Sequence, residues 1–137
     1  LVLQGQVRRR LAQELYRDTG LSEADYEVLV GLSESEGGRL RPFELGGFTQ
    51  WDDSRLAHHV TRMVRRGLVE RQPCDTDNRG SFVVITDDGL AAIEQAAPLH
   101  VAAVHRLFIE PTTPDQLEVL VEISDAVVGN LQRQDPG

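Results

Sequence analysis

"WDDSRLAHHVTRMVRRGLV", residues 51–69, sets two acids before two adjacent histidines, four arginines and a Gly-Leu-Val exit. Turned at about 100° per residue, Leu56, Val60, Met63 and Val64 fall on one stripe of a helix. Arg55, His58, His59 and Arg62 fall on the opposite stripe. Asp52 or Asp53 is placed to cap the helix start, and Gly67 to end it after Arg66. Two chemistries compete for the polar stripe. A metal site built from Asp52, Asp53, His58 and His59 meets a geometric objection, because adjacent histidines diverge by about 100° whereas helical chelation uses i, i+4 spacing. The two carboxylates are also better used as capping acids. The other chemistry is nucleic-acid contact: Arg and His offer donors to phosphates and base edges, Ser54 adds a hydroxyl at the helix start, and a helix N-terminus favours a phosphate.

Moving toward the C-terminus, "GLVERQPC" at 67–74 and "SFVVIT" at 81–86 are strand-like, and the turn formers "DTDNRG" lie between them. The pair predicts a β-hairpin with a loop too long for a tight turn. Arg79 stands at its tip, with Asp77 placed to orient it and Gly80 behind it. A hairpin-tip arginine suits a minor groove, whose negative potential attracts guanidinium. Thr86 then caps a long helix starting "DDGLAAIEQAA", and Pro98 predicts a kink or break before "LHVAAVHRLFIE". Thr113, Pro114 and Gln116 have the form of a capping box with Pro at the first helical position. They open a last helix displaying Leu117, Leu120, Val121, Val127, Val128 and Leu131.

Toward the N-terminus, Leu3, Val7, Leu11 and Leu15 form a stripe on a helix that ends at Thr19-Gly20. Ser22 caps the next helix with Asp25 at the third position and a Leu21–Tyr26 staple; Val28, Leu29 and Leu32 point inward. "RLR" at 39–41 reads as a short strand. Pro42 opens a short third helix through Leu45, which Gly46-Gly47 closes, leaving Phe48 to Trp51 as a turn. Trp51 reads as an anchor for that turn. Short helix, turn, longer helix and hairpin make the layout of a winged helix-turn-helix. The fold class is therefore mainly α with a small β-hairpin, with flanking helices whose apolar stripes require a partner, most simply a second copy. The expected organisation is an N-terminal dimerisation helix at 1–20, a winged helix-turn-helix at 21–89 and C-terminal dimerisation helices at 90–137.

Composition bounds the remaining possibilities. The chain has 137 residues, 40% hydrophobic and only 5% aromatic, so aliphatic side chains must build the core. No apolar run approaches the roughly 20 residues of a membrane span. A single cysteine, Cys74, excludes an internal disulfide, fits a reducing cytoplasm and reads as structural rather than redox-active. The net charge of −8 argues against a nucleic-acid partner until it is divided along the chain. Residues 39–79 hold eight arginines against six acids, a local excess of +2, while both flanks are acidic. Arginine's planar fork suits phosphate and guanine edges, so this segment can meet DNA despite acidic surroundings. Among the other polar residues, Arg8, Arg9 and Arg10 read as a solvated face, and His100 and His105 as isolated histidines of the long helix.

"SRLAHHVTRMVRRGLVERQPCDTDNRGSFVVITDDG" resembles the recognition helix and wing of MarR-type transcriptional regulators. The matching features are Ser54, "RMVRRGLV" at 62–69, Asp77-Asn78-Arg79-Gly80 and Ile85-Thr86-Asp87-Asp88-Gly89; "LSEADYEVLVGLSE" at 21–34 resembles the family's second helix. The resemblance implies a homodimer, regulation at a palindromic double-stranded DNA operator, and control by a small phenolic or anionic effector. It implies neither a cofactor nor an enzymatic activity, and no Ser-His-Asp arrangement or phosphate loop stands against that. The expected contacts are Arg55, His58, His59 and Arg62 in the major groove, Ser54 on backbone or base at the helix start, and Arg79 in the minor groove. A winged helix serving only as a protein–protein module is the alternative. Salt-dependent duplex binding separates the two.

Overall fold

A computed structural model describes residues 2–73 and 80–135. The described elements are helices α1 (Val2–Thr19), α2 (Glu23–Ser33), α3 (Pro42–Thr49), α4 (Asp53–Arg65), α5 (Asp87–Val104) and α6 (Pro114–Gln134). Strands β1 (Arg39–Leu40), β2 (Val69–Pro73) and β3 (Ser81–Ile85) complete them. The chain divides into two compact units, Leu1–His100 and Val101–Gly137, with the boundary inside α5.

In the first unit, local signals place the helix ends. Ser22 and Asp25 form the capping box of α2: the Asp25 N–H donates to Ser22 Oγ at 3.0 Å, and the Ser22 N–H donates to Asp25 Oδ2 at 2.9 Å. The expected inward residues Val28, Leu29 and Leu32 are fully buried, and Leu21 seals the helix start. They meet Leu45 of α3, Leu56, Val60 and Met63 of α4, Val69 and Val83 of the sheet, and Ile93 and Ala96 of α5. On α1 only Leu15 of the expected stripe is deeply buried, and Leu3 is exposed.

The hairpin gains a third strand. β1 pairs with β3, and β3 with β2, all antiparallel in the order β1-β3-β2, with Arg39 opposite Val84 and Val69 opposite Ile85. The sheet is tied to α5 at a close approach. The Thr86 hydroxyl donates to the Gly67 and Leu68 carbonyls and accepts from the Gly89 N–H at 3.0 Å. A Cβ on Gly89 would stand 2.1 Å from the Leu68 carbonyl oxygen, so this turn of α5 requires glycine.

Two expectations are corrected. α3 does not close at Gly46-Gly47 but runs on to Thr49, and the turn falls at Gln50, whose φ of 62° is left-handed. Glycine weakens a helix by only about 1 kcal/mol, and burial of Leu45 and Thr49 outweighs it. Likewise α5 passes through Pro98 without interruption. Ile93 and Ala96, just before the proline, are packed into the core, which compensates the hydrogen bond that Pro98 cannot make. The helix changes character seven residues later, where His105–Ile109 is π-helical.

In the second unit, Thr113 and Gln116 form the expected capping box of α6, with Pro114 at the first turn. This helix buries none of its residues, and Val121, Ile123, Val127, Val128 and Leu131 are exposed. Among the described residues, no helix is long and apolar enough to cross a membrane.

Candidate nucleic-acid interface

The helix α4 begins as its sequence dictates. Asp52 is the N-cap, its Oδ1 accepting the Arg55 N–H at 2.8 Å, and Asp53 occupies the first turn. The carboxylate that a metal site would need is thus spent on the helix end. Leu56, Val60 and Met63 are buried and Val64 is half-buried, so the apolar stripe anchors the helix on the core. That anchoring turns Ser54, Arg55, His58 and Arg62 outward, and all four are exposed. The exposed cations then share one side of a rigid helix, where each loses little further freedom on meeting a ligand.

His59 was expected on that same exposed stripe, and its placement is a correction. Its side chain is only 14% exposed, and its Nε2 lies 2.9 Å from Asp25 Oδ1 on α2. The helical wheel sets His59 at the border between stripes, and a buried carboxylate is a stronger partner there than water. The expected contact set is therefore split: Ser54, Arg55, His58 and Arg62 face out, and His59 faces in.

Asp25 is the hub that sequence reading missed, having assigned it only to the capping box. It is 2% exposed and also accepts from Arg66 Nη1 at 2.5 Å. Burial alone would raise its pKa. The hydrogen bonds from His59, Arg66 and the Ser22 N–H, with the Arg66 charge, outweigh that and hold it far below the usual carboxylate range. Arg66 reaches on to the Gly20 carbonyl at 3.2 Å, joining the end of α4 to the α1–α2 junction. The i, i+7 spacing puts His59 and Arg66 on one side of α4, but nothing in the sequence links them to Asp25; only the tertiary fold brings the carboxylate to them.

Around α4 other arginines are held in place. Arg55 stacks over Trp51, its Cζ 4.3 Å from the ring centroid, and Trp51 meets the His59 ring edge-on at 5.6 Å. Trp51 is thus the anchor expected of it, and also a platform. Arg71 on β2 donates to the Ala57 carbonyl and to Thr61 Oγ1 at 3.1 Å, bracing the sheet against α4. Arg39 and Arg41 lie over Phe82 at 4.3 and 5.1 Å. Gly80 is exposed. Cys74, Asp77 and Arg79 lie outside the described residues, within the 74–79 stretch between β2 and β3.

A separate cavity of about 240 Å³ opens between α1, α2 and the middle of α5. Leu11, Ala12, Leu15, Tyr26 and His100 line it, with Arg8, Glu23 and Glu27. Arg8 Nε is held by Glu23 at 2.9 Å. His100 packs against Tyr26 with ring centroids 4.6 Å apart and planes tilted by 47°, and its buried Nδ1 has no hydrogen-bond partner among the described residues. Burial pushes the His100 pKa down, favouring the neutral ring.

Comparison with known proteins places this geometry among solved structures. AbsC of Streptomyces coelicolor, a MarR family transcriptional regulator, is 40% identical; the alignment covers 96% of this chain and 91% of AbsC, with a TM-score of 0.84. Sco3205 of the same organism, also a MarR family regulator and solved in complex with DNA, is 37% identical over 94% of this chain and 81% of its own, with a TM-score of 0.88. CouR of Rhodococcus jostii RHA1, solved bound to p-coumaroyl-CoA, is 26% identical over 91% of this chain and 83% of its own, with a TM-score of 0.73. No family model matches the chain.

Proposed function

The chain belongs to the MarR family of transcriptional regulators, and from that premise we propose that it binds a palindromic duplex operator as a homodimer and acts as a ligand-responsive repressor. The observation that carries the DNA reading is the outward face of α4. Arg55, His58 and Arg62 stand together on a helix whose opposite side is locked into the core, with Ser54 beside them at the helix start. In this reading α4 enters the major groove, where arginine recognises guanine O6 and N7. The wing residue Arg79, supported by Asp77 and Gly80, enters the adjacent minor groove. The DNA-bound structure of Sco3205 supports the same use of the fold.

The homodimer rests on exposed apolar surface. Val2 and Leu3 of α1, and separately Val121, Val127, Val128 and Leu131 of α6, are more than half exposed. Exposed apolar side chains repeated along a helix favour association with a partner surface. A two-fold dimer also supplies two copies of α4 for the two half-sites of a palindrome.

The cavity beside His100 is the effector site in this proposal. Its apolar walls and the adjoining Tyr26 and His100 rings suit a small aromatic molecule such as a phenolic one, with Arg8, paired to Glu23, at its rim. The ligand-bound state of CouR supports a small-molecule effector for the chain. The test is direct. Duplexes enriched from a randomised pool by the purified protein should contain an inverted repeat, and phenolic acids that raise its melting temperature should release it from them. Enrichment of no common sequence would overturn the operator, and stabilising acids that leave the DNA complex intact would overturn the ligand response.

A further inference from the structure

The cluster around Asp25 joins three parts of the DNA-binding unit through one buried carboxylate. His59 and Arg66 are seven residues apart, two turns of helix, so they project from α4 on nearly the same side. Both end on Asp25, one on each oxygen. An ionised carboxylate only accepts, so His59 meets it with Nε2–H and Arg66 with its guanidinium. Two attachments spaced along α4 oppose both rotation about its axis and sliding along it. A single contact opposes neither fully. Arg66 continues to the Gly20 carbonyl, so the far end of α4 is referenced to the α1–α2 junction as well.

From His59 the chain of contacts runs outward. Its ring meets Trp51 edge-on, and over the Trp51 ring lies Arg55, its Cζ 4.3 Å from the centroid. A free arginine samples many rotamers and loses that freedom on binding; a stacked one is already ordered.

We propose that Asp25 is the positioning residue of the DNA-binding face: with Arg66 and His59 it fixes the pose of α4, and through His59 and Trp51 it fixes the pose of Arg55. This rests on the reading of α4 as the helix that meets DNA. Asp25 itself touches no DNA, being closed off within the fold. Its effect is on how well Arg55 is presented, and therefore on discrimination between sequences.

Trp51 is the chain's single tryptophan, so its fluorescence reports this arrangement alone. The experiment compares the full-length parent with Asp25→Asn and His59→Ala. Each is measured for circular dichroism, for acrylamide quenching of Trp51, and for anisotropy on a labelled duplex that the parent enriched from a randomised pool, alongside a scrambled duplex. The expected result is native circular dichroism, stronger quenching of Trp51, and roughly tenfold weaker binding to the enriched duplex with a smaller loss on the scrambled one. A purely architectural role would weaken both duplexes alike. Equal losses on both duplexes, unchanged affinity, or unchanged quenching in a folded variant each overturn the proposal. Where Asp25→Asn fails to fold, His59→Ala, which removes one arm only, decides. Should the parent bind no duplex at all, the operator reading falls, and Trp51 quenching without DNA still decides whether Asp25 and His59 hold the Trp51–Arg55 pair.

Discussion

Asp25 keeps its charge inside the protein because three donors converge on it. A carboxyl whose native pKa lies below its unfolded value near 4 binds fewer protons folded than unfolded. Its contribution to stability is therefore fully present above about pH 4 and lost as pH falls toward the depressed native value. Urea unfolding across this range should show the parent losing stability on acidification and Asp25→Asn losing markedly less; parallel pH profiles for the two would contradict the charged hub. At neutral pH Asp25→Asn should cost only about 2 kcal/mol: it weakens the charged hydrogen bonds, and half-exposed Arg66 offsets part of that loss by regaining water. Gly89 is the second residue with a sharp expectation. Ala there drives a methyl group against the Leu68 carbonyl, so Gly89→Ala should destabilise by about 2–3 kcal/mol or more, read as a fall in melting temperature. Both residues were visible in the sequence, Asp25 as a capping acid and Gly89 as the end of the Ile-Thr-Asp-Asp-Gly pattern. Their reasons were not, since each depends on a neighbour at least 21 positions away.

At the scale of elements, the apolar periodicity of α2 and α4 and the caps of α2, α4 and α6 were legible, because each follows from residues within one or two turns. The end of α3 and the continuity of α5 were not. Gly46-Gly47 and Pro98 are genuine breakers locally, and packing of Leu45, Ile93 and Ala96 overrules them. Gly47 is thus a helical position with no structural need for glycine, since a Cβ there meets nothing within 4 Å. Gly47→Ala should accordingly stabilise the protein by about 0.5–1 kcal/mol, seen as a higher melting temperature with an unchanged urea m-value. A loss of stability would mean that α3 does not run through this residue. His59 shows the limit of a helical wheel most clearly. The wheel gave its angle correctly and its neighbour not at all, because which border residue turns inward depends on the buried carboxylate across the interface with α2.

At the scale of the whole molecule, a chain of net charge −8 meets a polyanion by concentrating its arginines: eight of fourteen lie within residues 39–79. The exposed apolar side chains of α6 predict that the purified protein is a dimer of about 30 kDa, measured by light scattering, and that Val121→Glu with Val128→Glu shifts it toward monomer. A monomeric parent would remove the two-fold geometry on which a palindromic site depends. Contact between the exposed face of α4 and DNA is tested most directly by binding of the parent and Arg62→Ala to the enriched duplex, measured by fluorescence anisotropy over a range of salt concentrations. The parent should show log K falling linearly with log salt, as released counterions require. Arg62→Ala should remain folded and bind about 1–3 kcal/mol more weakly, with sequence preference relaxed at one position per half-site. A folded Arg62→Ala protein that binds as tightly as the parent, or a parent affinity indifferent to salt, would contradict the account.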